Sequence, residues 1–217
     1  MIVGRSVEGR PIEAYVRGKR GRPTILIFGG FHGDEPKSVF LSRRLIELLD
    51  TDPSTAPSVR WVVLPVVNPD GYERRKRCNA NQVDINRNFP TKNWARTSRR
   101  SRMFGGTEPV SEPETDTVIK AVKRYRPILI VTVHSIDGYR HCNNYDGPGR
   151  AVAAAMSRIN GYPVTCSIGY GTPGSFGTWA GIERNIPTIT LELPSHHSPK
   201  RCWEDNCPAL LACVEVL

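Results

Sequence analysis

Three apolar runs, each ending on a group able to do chemistry, constrain this chain more than any other feature of it. Residues 24–30 (Thr-Ile-Leu-Ile-Phe-Gly-Gly) lead into His32-Gly33-Asp34-Glu35, Val131-Thr132-Val133 leads to His134, and Thr190-Leu191 leads to Glu192. Short runs rich in β-branched and apolar residues, bounded by Gly or Pro, read as buried strands. The polar groups then emerge at strand ends inside a sheet, which is where open α/β sheets place their sites. His32, Glu35 and His134 together offer two imidazoles and one carboxylate, the donor set of a catalytic zinc that keeps a fourth position for water.

Helical and strand patterns alternate through the rest of the chain. Residues 12–17 read as a first short strand. After Pro36, Leu41, Leu45, Leu48 and Leu49 make one helical stripe. Residues 60–67 read as a strand ended by the turn Asn68-Pro69-Asp70-Gly71. Residues 72–107 lack apolar periodicity and are expected as a long irregular segment over one edge of the sheet, a length that usually signals function. A helix is expected over 114–125, with Val118, Val122 and Tyr125 on one face, and a strand over 128–133. Then come a helix around 150–159 (Val152, Ala155, Met156, Ile159), a short helix over 175–184 and a strand over 186–193. A terminal helix is expected over 208–217, with Leu210, Cys213, Val214 and Leu217 as its stripe. The alternation predicts an α/β fold, a mixed, mostly parallel twisted sheet with helices on both faces. The 217-residue length suits a single domain over residues 1–217.

Net charge is +9, and residues 74–102 hold ten Lys or Arg against one acid, Asp84. Such a run suits an anionic small substrate drawn toward a cleft. Aromatic residues are not interleaved along it as a base-stacking surface requires, so no nucleic-acid partner is expected. No continuous apolar stretch marks a signal peptide or a membrane span, and the expectation is a soluble, cytoplasmic protein without a membrane partner. The six cysteines lack Cys-x-x-Cys spacing and read as reduced, partly buried thiols.

Set beside Asn68-Pro69-Asp70-Gly71 and Val83-Asp84-Ile85-Asn86-Arg87-Asn88-Phe89, the three opening fragments resemble the zinc carboxypeptidase (carboxypeptidase A) family over roughly residues 5–194. Within it the chain is similar to the short bacterial branch of murein peptide amidases. That likeness is carried by Gly4-Arg5-Ser6, Gly9-Arg10-Pro11-Ile12, Gly29-Gly30-Phe31-His32-Gly33-Asp34-Glu35-Pro36, residues 77–84 and Tyr170-Gly171-Thr172-Pro173-Gly174-Ser175. The resemblance implies one zinc per chain on His32, Glu35 and His134, with Glu192 as the general base. It implies Arg77 as the cationic donor to the developing oxyanion. Asn86 and Arg87 would clamp a substrate carboxylate, and Tyr170 would close over the substrate.

Some positions depart from that pattern. Gln82 stands where many relatives have Gly, and Asp84 reads as a structural partner of the arginines. His141, His196 and His197 match no ligand position. Phe176 is expected at the specificity pocket, with no acid there to demand a basic side chain.

The leading expectation is a zinc peptidase cleaving the γ-D-glutamyl-meso-diaminopimelate amide of murein peptides, small substrates rich in carboxylates. The alternative is a general carboxypeptidase on α-linked peptides or a related small-molecule deacylase. A catalytically silent, zinc-dependent binding module is the reading from another class, and the presence of both Glu192 and Arg77 argues against it.

Overall fold

The computed structural model describes residues 1–52, 54–55 and 57–216. In chain order the strands and α-helices are β1 (Ile2–Arg5), β2 (Pro11–Glu13), β3 (Tyr15–Arg17), β4 (Thr24–Phe28), α1 (Pro36–Thr51), β5 (Arg60–Leu64) and α2 (Pro69–Arg74). They continue with α3 (Pro113–Tyr125), β6 (Leu129–Ile136), β7 (Cys142–Asp146), α4 (Arg150–Asn160), β8 (Val164–Thr165), β9 (Thr188–Pro194) and α5 (Pro199–Ala212).

Seven strands form one sheet in the order β3-β5-β4-β6-β9-β7-β8. The β5-β4-β6-β9 centre is parallel, while β3/β5 and β7/β9 pair antiparallel, so the sheet is mixed and mostly parallel as expected. Side chains alternate between two faces along each strand. Ile25, Ile27, Val131, Val133 and Leu191 face α1, α4 and α5, with Leu41, Leu45, Met156 and Leu210 packed on them. Leu26, Phe28, Val62 and Ile130 face α3 and a cluster of aromatics, Phe31, Phe89, Phe176 and Trp179. With both faces covered, the central strands are apolar throughout, which is why they were legible as continuous runs.

Several expected elements differ in detail. The strand expected over 12–17 is two strands broken at buried Ala14: β2 pairs with β1 in a separate two-stranded sheet, and β3 joins the main sheet beside β5. Asn68-Pro69-Asp70-Gly71 does not simply turn. Asn68 caps α2 by accepting from the Gly71 N–H at 2.9 Å, and Pro69 takes the first helical position, where its missing N–H costs nothing.

The segment after α2 is irregular, with one 3₁₀ turn at Ile85–Arg87. It does not stay at the sheet edge: Ile85 and Phe89 join the same apolar cluster as Leu26 and Phe28 of central β4. Helix α4 forms, but Ile159 is 52% exposed rather than on the packed face. The expected 175–184 helix contains a π-turn at Thr178–Ile182.

The last helix starts well before Pro208. Ser198 caps it by accepting from the Arg201 N–H, Pro199 opens it, and Pro208 lies inside it. Leu217, assigned to its stripe, lies outside the described residues. Strands β7 and β8 were not expected at all, because Cys142-Asn143-Asn144-Tyr145-Asp146 carries no apolar alternation. No helix of the described residues is long and apolar enough to cross a membrane.

Candidate active site

The loop after β4 carries His32 and Glu35, with Glu35 at the N-cap of α1. His134 lies within β6 and Glu192 within β9, directly paired across the parallel ladder, rather than beyond the strand ends. Glu35 Oε1 is 2.7 Å from His32 Nδ1, Glu35 Oε2 is 3.0 Å from His134 Nδ1, and the two Nδ1 atoms are 3.2 Å apart. Zinc–nitrogen bonds of about 2.0–2.1 Å in a tetrahedron require ligand atoms about 3.3 Å apart. The donor atoms therefore fit a zinc ion with little movement, and all three residues are buried. Among the described residues no other set of three metal-capable side chains converges in this way.

Asp84 organises one side of this group. Its Oδ1 accepts from His32 Nε2 at 3.0 Å and from the Asn86 N–H at 3.0 Å, and its Oδ2 accepts from Arg77 Nε and Nη2 at 3.1 and 2.9 Å. A carboxylate on the far nitrogen fixes the imidazole tautomer so that Nδ1 faces the metal position. The expected pairing with an arginine is present at Arg77, and the hold on His32 is an additional role that sequence did not reveal. Burial alone would raise the Asp84 carboxyl, but His32 and Arg77 hold it well below the usual carboxylate range. Burial works against a charged His32, yet Glu35 and Asp84 raise its imidazole to about 9. Metal binding at neutral pH therefore has to displace a proton. His134 is held differently, by stacking against Phe31 at 5.6 Å between ring centres.

The loops under the site are locked by close backbone approach. A Cβ on Gly33 would lie 1.9 Å from the Gly71 carbonyl carbon, so the first motif needs glycine where it touches the second. Asn68 Nδ2 donates to the carbonyls of Phe31 and Arg77, tying together the loops that carry His32 and Arg77. Fully buried Asp70 accepts from Ser6 Oγ, the Glu8 N–H and Arg10, which explains why the N-terminal Ser6 and Arg10 accompany the Asn-Pro-Asp-Gly motif.

All eight candidate residues, His32, Glu35, Arg77, Asn86, Arg87, His134, Tyr170 and Glu192, line one cleft of about 520 Å³. Burial pushes the Glu192 carboxyl above its ordinary value, with His134 opposing and Glu35 adding to the rise. Arg77 Nη1 lies 3.6 Å from Glu35 Oε1. Arg87 is buried, with Nη1 braced on the Asn86 carbonyl at 2.6 Å, and Asn86 Oδ1 accepts from the Phe176 N–H at 2.9 Å. Tyr170 is 45% exposed at the rim. Of the basic segment, Arg77, Arg87 and Arg102 reach the cleft.

Phe176 does not line the pocket. It is buried in the aromatic cluster, 5.4 Å from the Phe28 ring, and its neighbours Ser175, Gly177 and Thr178 form the wall instead. The expectation of a pocket without an acid also fails, because Asp146 at the end of β7 lines the same cleft. His141 packs edge-on against Tyr162 and His197 lies 3.4 Å from Asp205, both away from the metal triad. All six cysteines are free.

A family model described as zinc carboxypeptidase matches residues 1–149. Murein peptide amidase A of Escherichia coli (strain K12) is 36% identical over 208 residues, covering 88% of this chain and 79% of that relative. The crystal structure of murein-tripeptide amidase from Escherichia coli O157 superposes with a TM-score of 0.79 at 29% identity, covering 99% of this chain and 90% of that one. Carboxypeptidase A of Helicoverpa armigera, at 20% identity, shares the fold with a TM-score of 0.82, covering 99% of this chain and 67% of its own. With this sheet and these matches, the chain is a metallopeptidase that belongs to the zinc carboxypeptidase family.

Proposed function

We propose that the protein is a one-zinc amidase that hydrolyses the γ-D-glutamyl-meso-diaminopimelate bond of murein peptides, with His32, Glu35 and His134 as the metal ligands. The observation that carries the catalytic part is the placement of Glu192 beside His134 on adjacent strands, in one cleft with a buried Arg87. The substrate part is supported by the likeness to murein peptide amidase A over most of both chains. A cytoplasmic site of action on recycled peptides belongs to the same reading.

Zinc held by this triad supplies an activated water and polarises the scissile carbonyl. Glu192, with its carboxyl raised by burial, takes the proton of the attacking water and passes it to the leaving amine. Arg77, fixed by two bonds to Asp84, presents its remaining N–H groups toward the charge that develops on the carbonyl oxygen. Arg87 and Asn86 hold the carboxylate of the residue being released, for which a planar guanidinium is suited. Tyr170, exposed at the rim, is free to fold over a bound peptide.

Assaying the zinc-loaded protein on L-Ala-γ-D-Glu-meso-diaminopimelate beside hippuryl-type α-linked peptides tests the reading. Preference for the γ-linked substrate is the expected result. Efficient cleavage of α-linked peptides alone would make it a general carboxypeptidase.

A further inference from the structure

Three arginines of the basic segment reach the cleft, and two of them have a role there: Arg87 at the carboxylate of the residue being released and Arg77 at the scissile carbonyl. Arg102 has none. Its guanidinium makes neither a hydrogen bond nor an ion pair among the described residues, whereas Arg77 is held by Asp84 and Arg87 by the Asn86 carbonyl. Arg140, from the loop after β6, also lines the cleft, but it donates to the Asp137 carbonyl and has the Asp137 carboxylate on the same loop.

The backbone on both sides of Arg102 is fixed while its side chain is left free. Ser101 Oγ accepts from the Met103 N–H at 3.1 Å, the Ser101 carbonyl accepts from the Phe104 N–H at 3.1 Å, and Thr97 Oγ1 donates to the Met103 carbonyl at 3.2 Å. Phe104 is buried, and its carbonyl accepts from the Asp84 N–H at 2.8 Å, which pins the loop to the residue that orients His32 and Arg77. A loop already ordered in this way adds no backbone cost when an anion binds its side chain.

Arg102 stands on the acyl side of the metal. The end of the cleft that takes the released carboxylate lies toward β7, because Asn86 Oδ1 accepts from the Phe176 N–H and a Cβ on the adjoining Gly177 would lie 2.2 Å from Asp146 Oδ2. Arg102 lies toward Arg77 and Asp34 instead. Burial pushes the Cys78 thiol, next to Arg77, up to about 11, with Asp84 and Asp34 adding to the rise and Arg77 and Arg102 opposing it. Asp34 belongs to the metal loop after β4, and in the order β4-β6-β9-β7 that flank is the one away from β7. A peptide with its released carboxylate on Arg87 and its scissile carbonyl at Arg77 therefore sends the residue before the scissile bond toward Arg102.

We infer that Arg102 is a specificity-determining residue that receives a free carboxylate on the residue supplying the scissile carbonyl. A guanidinium offers a planar pair of N–H donors matched to a carboxylate. In a γ-glutamyl amide the free α-carboxylate sits four bonds from the scissile carbonyl carbon, and in an α-glutamyl amide the side-chain carboxylate sits at the same remove. The substrate class is therefore a peptide whose acyl residue carries a carboxylate on a short stem, in either linkage. This deepens the proposed function and rests on it for the direction in which the peptide lies. It does not depend on which amide linkage is cut.

The test compares kcat/KM for γ-D-glutamyl-meso-diaminopimelate with that for its α-carboxamide, and for N-acetyl-α-L-glutamyl-meso-diaminopimelate with that for the glutaminyl counterpart. Zinc-loaded wild type, Arg102→Gln and Arg100→Gln are assayed in parallel. Arg100 is an exposed residue of the same loop outside the cleft lining, and its loss removes the same charge. In whichever linkage is cleaved, wild type should favour the acid over the amide by roughly tenfold, the low end for a hydrogen bond to a charged group because Arg102 is exposed. Arg102→Gln should bring the acid-to-amide ratio to parity, and Arg100→Gln should keep it. A merely structural role for Arg102 would depress both substrates and leave the ratio intact. Cleavage of the α-linked pair alone, with an acid preference that Arg102→Gln removes, overturns the linkage reading and supports Arg102. If neither pair turns over, calorimetric binding of the same peptides to the same proteins reads the same ratio. Equal handling of acid and amide by wild type, a preference that survives Arg102→Gln, or one that Arg100→Gln abolishes as well, overturns the inference.

Discussion

At the metal end of the cleft the three metal ligands and Arg77 are held by neighbouring polar groups. Asp84 holds His32 and Arg77, Glu35 bridges both imidazoles and accepts from the Ser135 N–H, and Asn68 ties the supporting loops. At the far end, β7 and the π-turn present Asp146 with no partner, beside a rim where Tyr170 is half exposed. The difference teaches how the cleft divides its work. Groups that must meet developing charge in a fixed geometry are oriented before substrate arrives, since reorganising them during reaction would raise the barrier. At the far end Asp146 and Tyr170 make no side-chain hydrogen bond among the described residues and are left open to what enters the cleft.

The largest expected effect lies at the oriented end. Glu192→Gln keeps size and shape but cannot accept the water proton, so turnover should fall by about 10²- to 10⁴-fold while bound zinc is retained. Steady-state rates together with metal analysis check this, and a variant within a few-fold of wild type would move the base elsewhere. Next comes Asp84→Asn. It removes the charge that orients His32 and neutralises Arg77, and zinc affinity, measured by chelator competition, should drop by about 10- to 100-fold. An unchanged affinity would mean that the metal end is not organised through Asp84.

Between the two ends sits Arg87. Arg87→Lys retains the charge and loses the planar fork, so kcat/KM on carboxylate-bearing peptide should fall at least about tenfold with zinc content unchanged. Equal rates on acid and amide forms of the peptide by wild type would make Arg87 a packing residue. The smallest effect is outside both ends. Gln82 adopts φ 64, a left-handed backbone unfavourable for a side chain, and its N–H bonds the Asn79 carbonyl to close a turn. Gln82→Gly should stabilise the fold by about 0.5–1 kcal/mol, read by thermal denaturation, with activity unaltered.

The same contrast explains what was legible in the sequence. Central strands buried on both faces spell themselves out in β-branched residues, so β4, β6 and β9 and the positions of His32, His134 and Glu192 could be read directly. Edge elements could not. The short β1 and β2 are half exposed and pair only with each other, so the 12–17 strand was read as one. The polar β7 lines a cleft, its side chains being chosen for what they face rather than for packing, and with it Asp146 escaped notice. Asp84 was linked to the arginines by proximity in sequence, but its hold on His32 spans 52 residues and is invisible without the fold. Phe176 was drawn to the pocket by its place after Gly174-Ser175. A local helical turn sends its ring into the aromatic cluster and leaves Gly177 at the wall.

Metal analysis tests the central claim most directly, that His32, Glu35 and His134 form a zinc centre distinct from the base. Wild type purified in the presence of zinc and dialysed should carry about one zinc per chain. Under the same treatment His134→Ala should lose most of the metal together with activity, while Glu192→Gln keeps the metal and loses activity alone. Full zinc content and full activity in His134→Ala would contradict the account.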